Sequence, residues 1–319
     1  MAEPLYLGID LGGTKIAAGV VSSDGEVRGL SRVDTPAREG VAAVVRAMAG
    51  AARGAARAAG VSVKRLAGGG VGAPGPIDVE AGLVVSPPNL PGWRDVALGR
   101  LLGRGLGLTL ALANDANAAG LAEHRFGAGQ GCSPLVYLTV STGIGGAILI
   151  DGKVVSGARG AAGEVGHLVL VPDGPLCGCG NRGCLEALAS GTAVARRARE
   201  AVRQAAPSTL TERFASRPSR ITAAMVADIA REGDPEARRI MAEAMEHLGR
   251  GVASLVNLLN PERVVIGGGL SSVGPALFDP VRRAVARHAN GLASSSVSVV
   301  PADLGPDSGV IGAAALAMS

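Results

Sequence analysis

Short apolar runs separated by glycine and aspartate dominate the first part of the chain. Leu5–Asp10, Ile16–Val21 and Val27–Val33 are three such runs. A Gly12-Gly13 turn joins the first two and Asp24-Gly25 joins the second two, which predicts a β-meander over residues 5–35. Residues 41–60 are alanine-rich, with Arg53 and Arg57 on the polar side of a predicted helix. Leu66–Val71 and Leu108–Ala113 read as strands, Ile77–Val85 as a hairpin, and a helix is expected from about Ala116.

The opening pattern then recurs. Leu135–Val140 is a predicted strand, Ser141–Gly146 a glycine-rich turn, Ala147–Ile150 the return strand, and Asp151-Gly152 a second hairpin signal. This recurrence suggests two related α/β halves facing each other across a cleft. Further on, Met241, Met245, Leu248, Val252, Leu255 and Leu259 repeat at spacings of four and three, which marks one buried stripe of a helix. Asn260-Pro261 ends it, Arg263–Ile266 is a strand leading into Gly267-Gly-Gly269, and Val310–Met318 reads as a closing helix. Residues 205–220 read as a connector. The expected division is a small α/β domain over 1–115 and a large one over 116–305, with a C-terminal helix within 306–319 packing back on the first.

Composition narrows the function. The 319 residues are 47% apolar, enough for a sizeable core, but only 2% aromatic. The net charge of +4 is spread over many arginines, with no basic stripe and few stacking aromatics, so nucleic acid is not an expected partner. No apolar run approaches a membrane span, and no export leader precedes Leu5. The cysteines cluster as metal ligands do, which fits a reducing cytoplasm.

Several motifs could carry chemistry. Asp10-Leu-Gly12-Gly13-Thr14-Lys15 is a strand end followed by a turn whose N–H groups, hydroxyl and ammonium suit a phosphate. Asp10 could hold Mg²⁺ through water. A plain tight hairpin is the competing account. Thr142-Gly143 and Gly267-Gly268-Gly269 are two more strand-end glycine clusters, and three together favour a nucleotide cradle. Gly70-Val-Gly72-Ala-Pro-Gly75 matches a dinucleotide fingerprint by letter, but the hairpin expected after it is not the helix such a fingerprint opens. Asn114-Asp115 ends a strand before a helix. Asp115 there could take a proton from an attacking hydroxyl while Asn114 holds another; simple helix capping is the alternative. His167, Cys177, Cys179 and Cys184 form a complete tetrahedral set for zinc, and Glu164 and Glu186 flank it. Four protein ligands leave no open position, so such a zinc would brace a loop rather than act as a Lewis acid.

Together these residues resemble the ROK family (repressors, open reading frames and sugar kinases) from Leu5 to about Ala315. The specific matches are Asn114-Asp115-Ala-Asn-Ala-Ala, Gly163-Glu-Val-Gly-His167 and Cys177-Gly-Cys-Gly-Asn-Arg-Gly-Cys184-Leu-Glu186. Ala147 departs from a glycine common in the family. The resemblance implies a two-lobed actin-like ATPase fold of the hexokinase/RNase H-like type, with ATP and Mg²⁺ in the interdomain cleft. It implies Asp115 as general base, and hexose contacts from Asn89, Asn114, Asp115, Glu164, His167 and Glu186. Asp10, Gly12, Gly13, Thr14, Lys15, Thr142, Gly143, Gly267, Gly268 and Gly269 would bind the nucleotide, and His167 with the three cysteines a structural zinc. The implied activity is transfer of a phosphoryl group to a hexose 6-hydroxyl, glucose favoured, in a homo-oligomer, with a dimer favoured. N-acetylmannosamine, N-acetylglucosamine and fructose are alternative acceptors, and a non-catalytic sugar sensor is the alternative of a different class. Family repressors carry a DNA-binding domain ahead of the first strand, and a strand starting at residue 5 leaves no room for one.

Overall fold

The computed structural model describes residues 3–318. In chain order the elements begin β1 (Leu5–Leu11), β2 (Lys15–Ser22), β3 (Val27–Asp34), α1 (Val41–Ala58), β4 (Gly68–Ala73), β5 (Ile77–Asp78) and β6 (Leu83–Val84). Next come α2 (Leu98–Leu106), β7 (Leu110–Asn114), α3 (Asp115–Phe126), β8 (Leu135–Val140), β9 (Ile144–Ile150) and β10 (Lys153–Val154). Helices α4 (Leu185–Ala189), α5 (Gly191–Arg203), α6 (Thr209–Phe214), α7 (Ala223–Glu232) and α8 (Pro235–Leu259) follow, then β11 (Arg263–Gly267), α9 (Pro275–His288), α10 (Gly291–Ser296), β12 (Ser298–Pro301) and α11 (Ser308–Ala315).

Two five-stranded sheets have the orders β3-β2-β1-β4-β7 and β10-β9-β8-β11-β12. In each, an antiparallel meander supplies three strands and two parallel strands are added beyond its first strand. The hairpin after Pro76 is the short β5–β6 pair, and no helix opens there. By internal contacts the chain divides into two compact units. One comprises the described residues through Cys132 with Ala147–Gly163 and the stretch from Asp303 on; the other comprises Ser133–Gly146 and Glu164–Ala302.

The first unit packs α1 and α2 on its sheet around Leu7, Ile9, Leu11, Met48 and Leu102, all without solvent exposure. Helix α11 lies close against strand backbone. A Cβ on Gly8 would sit 1.9 Å from the Val310 carbonyl, and one on Gly70 2.1 Å from that of Ala313, so both strands need glycine where the helix touches. In the second unit, the four-and-three stripe of α8 is the buried one: Met241, Met245, Leu248, Val252 and Leu255 all enter the core.

Local differences from the sequence expectations have physical causes. The 205–220 connector contains α6, because Ser208 accepts the Leu210 N–H and Asp234 binds the Ser208 hydroxyl at 3.0 Å and the Thr209 N–H at 2.7 Å. The second glycine turn is shorter than predicted, with β9 already starting at Ile144. There Gly146 serves close packing, since a Cβ on it would lie 2.5 Å from Val165 Cγ2. Among the described residues no helix is long and apolar enough to cross a membrane.

Candidate active site

In the first unit, β1 runs between β2 and β4, in register at Asp10↔Ala17 and Asp10↔Gly72. This places Asp10 near the end of the central strand of the sheet. The start of α11 closes over it: a Cβ on Gly309 would come 2.7 Å from Asp10 Oδ2. Burial, reinforced by the nearby Asp115 carboxylate, pushes the Asp10 carboxyl up to about 7. A buried carboxyl beside a second carboxylate is a donor pair that suits a divalent ion.

The turn after β1 is tight. Gly12 N–H donates to the Lys15 carbonyl at 2.9 Å, and the Thr35 hydroxyl holds the Gly12 carbonyl at 2.8 Å. Thr14 and Lys15 are exposed. Asn89 lies over this turn, since a Cβ on Gly13 would meet Asn89 Cβ and Nδ2 at 2.9 Å.

Strand β7 delivers Asn114-Asp115 to the start of α3. Asn114 is the N-cap: its Oδ1 accepts the N–H groups of Ala116 at 2.9 Å and Asn117 at 3.3 Å, and Asp115 Oδ1 shares the Ala116 N–H at 2.8 Å. The capping alternative for Asp115 is thereby corrected, because Asp115 is the first helical residue. With its oxygen engaged, Asn114 keeps its amide nitrogen as the group that can donate to a ligand.

The second unit holds the metal candidates. One ligand atom from each of His167, Cys177, Cys179 and Cys184 lies within 4.8 Å of the others. Cys177 Sγ is 3.7 Å from His167 Nδ1, and Cys179 Sγ is 3.7 Å from Cys184 Sγ. Thiolates about 2.3 Å from a tetrahedral zinc stand about 3.8 Å apart, so the spacing fits that ion. Burial raises the Cys177 thiol, and burial with the neighbouring thiols pushes Cys184 up to about 12. Cys179, exposed and bonded by the Asn181 N–H, is lowered instead. Two buried thiols that hold their protons in the absence of a cation are donors a dication would ionise.

This loop is fastened to the second glycine turn. Glu186 Oε2 accepts the Ile144 N–H at 2.9 Å, while Oε1 is 3.8 Å from Cys177 Sγ. A Cβ on Gly143 would come 2.4 Å from Glu186 Oε2, and one on Gly166 2.0 Å from the Ile144 carbonyl. Glu164 is exposed and its carbonyl accepts the His167 N–H at 3.0 Å. Thr142 is also exposed, and the turn is closed by Ser141 N–H on the Gly143 carbonyl at 2.9 Å. Gly268, at φ 84, lies against the end of β8, where a Cβ would meet the Val140 carbonyl at 2.5 Å. Gly267 and Gly269 flank it, so the Thr142-Gly143 and Gly267–Gly269 segments are neighbours within this unit. The fastening through Ile144, Val165 and Gly166 carries no signal in the sequence. Only the glycine pattern of Gly163–His167 hints at a close approach.

A profile of the ROK family matches residues 6–319. The chain belongs to the ROK family, and its two-sheet α/β architecture is the actin-like ATPase fold. It is 39% identical to a glucokinase of Thermotoga maritima over 99% of this chain and 98% of that one. Among solved structures it resembles a ROK hexokinase from Thermus thermophilus, with 41% identity and a TM-score of 0.80 over 97% of this chain and 96% of that one. It also resembles a ROK family glucokinase from Streptomyces griseus in complex with glucose and AMPPNP, with 37% identity and a TM-score of 0.83 over 98% of each chain.

Proposed function

We propose that this protein is a glucokinase, transferring the γ-phosphoryl group of ATP to the 6-hydroxyl of glucose. The observation that carries the reading is Asp115, set at the junction of β7 and α3, with the Asp10 carboxylate beside it. The glucokinases at 37–39% identity over nearly whole chains support the substrate.

In this reading Asp115 accepts the proton of the 6-hydroxyl as that oxygen attacks in line. The transition state is loose, so most of the rate comes from positioning and charge stabilisation. The amide nitrogens of Asn89 and Asn114 and the carboxylates of Glu164 and Glu186 hold sugar hydroxyls. Gly12, Gly13, Thr14, Lys15, Thr142, Gly143 and Gly267–Gly269 receive the nucleotide. Asp10 would hold Mg²⁺ through water, and that ion would neutralise phosphate charge. His167, Cys177, Cys179 and Cys184 would hold zinc, which supplies structural bracing only. With Nδ1 turned to the thiols, His167 keeps Nε2 for a sugar hydroxyl.

A coupled assay of ATP with glucose, mannose, fructose, N-acetylglucosamine and N-acetylmannosamine tests this. Glucose should give the highest kcat/KM. Another sugar in first place would replace the substrate, and no turnover with any of them would leave a sugar-sensing protein.

A further inference from the structure

Glu186 rides on α4, a helix of five residues that starts at a zinc-ligand candidate. Cys184 is its N-cap and Glu186 its second residue. So short a helix has little stability of its own, and its last carbonyls have no partners within it. The neighbouring chain supplies them. Ser190 N–H donates to the Glu186 carbonyl at 3.1 Å. Arg196 Nη2 donates to the Ala187 carbonyl at 2.7 Å, and Arg197 Nη1 to the Leu188 carbonyl at 2.8 Å. Both arginines come from the second turn of α5 and reach back along α4.

The arginines meet a further anchor. Leu185 is fully buried against α8, where a Cβ on Gly251 would come 2.7 Å from Leu185 Cδ2. Ala187, Leu188 and Ala189 are buried as well, the Leu185 N–H donates to the Leu168 carbonyl at 2.8 Å, and the Glu186 carboxylate accepts the Ile144 N–H, so the start of α4 is held from several sides. The two guanidinium groups hold its other end through successive carbonyls, and the set of the helix decides where the Glu186 carboxylate points. Arg197 is only weakly engaged elsewhere, its nearest carboxylate being Glu243 at 4.0 Å, with a side-chain exposure of 18%.

We propose that Arg196 and Arg197 are positioning residues for Glu186, setting hexose affinity and zinc retention by capping the C-terminus of α4. The hexose part rests on the glucokinase reading; the zinc part does not. Arg199, on the same helix and also partly buried, donates to Ile221 at 2.8 Å, outside α4, and serves as the control.

The test uses the full chain reconstituted with zinc and compares Arg197→Met, Arg196→Met, Arg197→Lys and Arg199→Met. Loss of a group that orients a ligand or its neighbour typically costs about 10–100-fold. Arg197→Met and Arg196→Met should raise the hexose KM by roughly tenfold at the low end of that range, and leave the ATP KM less changed. Zinc release to a chelator should quicken by a similar factor. Arg197→Lys, whose ammonium can still reach a carbonyl, should recover much of both. Arg199→Met should lower Tm and leave hexose KM and zinc release unchanged. Wild-type hexose KM and zinc release in both methionine variants, whatever their Tm, would overturn the proposal. If the wild-type protein phosphorylates no hexose, the glucokinase reading fails, and zinc release alone decides this one.

Discussion

The two sheets share one strand order, and in both a glycine turn joins the first two meander strands. What surrounds that turn differs. Over the first turn lies Asn89, an exposed side chain on a loop, with Asp10 and Asp115 close by. Over the second lies Glu186, bonded to Ile144 and tied through α4 to the cysteine cluster. The same scaffold therefore serves two ends. The first half keeps its turn accessible beside two carboxylates, and the second bonds its turn to the cysteine loop through Glu186.

The comparison breaks most sharply at Asp115. General-base help is worth roughly 10²–10⁴-fold in rate, and Asp115→Ala should lose at least that much kcat. Because Asn114 is the N-cap and also accepts the Ala116 N–H that Asp115 shares, Tm should move little. Steady-state kinetics beside a thermal melt check both, and near-normal turnover would remove Asp115 from the chemistry.

The second half should fail differently. Cys184→Ser, or removal of zinc by a chelator, should lower Tm and raise hexose KM together, by roughly 10–100-fold for the latter. Full activity in protein shown by metal analysis to be zinc-free would sever the loop from the site. A finer contrast lies in the turns themselves. Overpacking costs about 1–3 kcal/mol, and Gly143→Ala should fall at the upper end because its Cβ would meet the anchored Glu186 at 2.4 Å. Gly13→Ala should fall at the lower end, since the exposed Asn89 can shift from its 2.9 Å contact. Hexose and ATP KM values for the pair, with Tm, measure this; equal effects would erase the distinction between an open and a braced turn.

A further contrast concerns pH. A carboxyl raised to about 7 in the folded chain keeps a proton that the unfolded chain has released. Stability is thus lost as pH rises from about 4 to about 7, and flat beyond. In metal-free buffer Asp10→Asn should flatten that slope in denaturant melts across this window. An unchanged slope would show that Asp10 titrates normally.

Much of the architecture was legible because it is local. The Asp151-Gly152 turn is visible since both residues take positive φ, 50 and 74, a demand few sequences meet. The α8 stripe is visible because burial follows the helical period. The strand Ser298–Pro301 carries no comparable signal: it is a short edge strand with a serine at its start and a proline at its end. For the site, the cysteine spacing and the Asn114-Asp115 dipeptide stand out in the chain, whereas their supports do not. Glu186 and Ile144 are 42 residues apart, and a single carboxylate–amide bond leaves no pattern in either segment. The arginines that cap α4 look like any surface arginines of an amphipathic helix.

The close seating of α11 on the first sheet bears on how the chain is made. Backbone at Gly8 and Gly70 is covered by residues 310 and 313, and a Cβ on Gly312 would meet the Ala118 carbonyl at 1.8 Å. On the ribosome, the covering helix emerges about three hundred residues after β1. At the usual rate of about 5–20 residues per second, that is an interval of roughly 15–60 seconds. The strand made first of this pair is covered last, and its apolar face waits through that interval for a helix encoded about three hundred residues downstream.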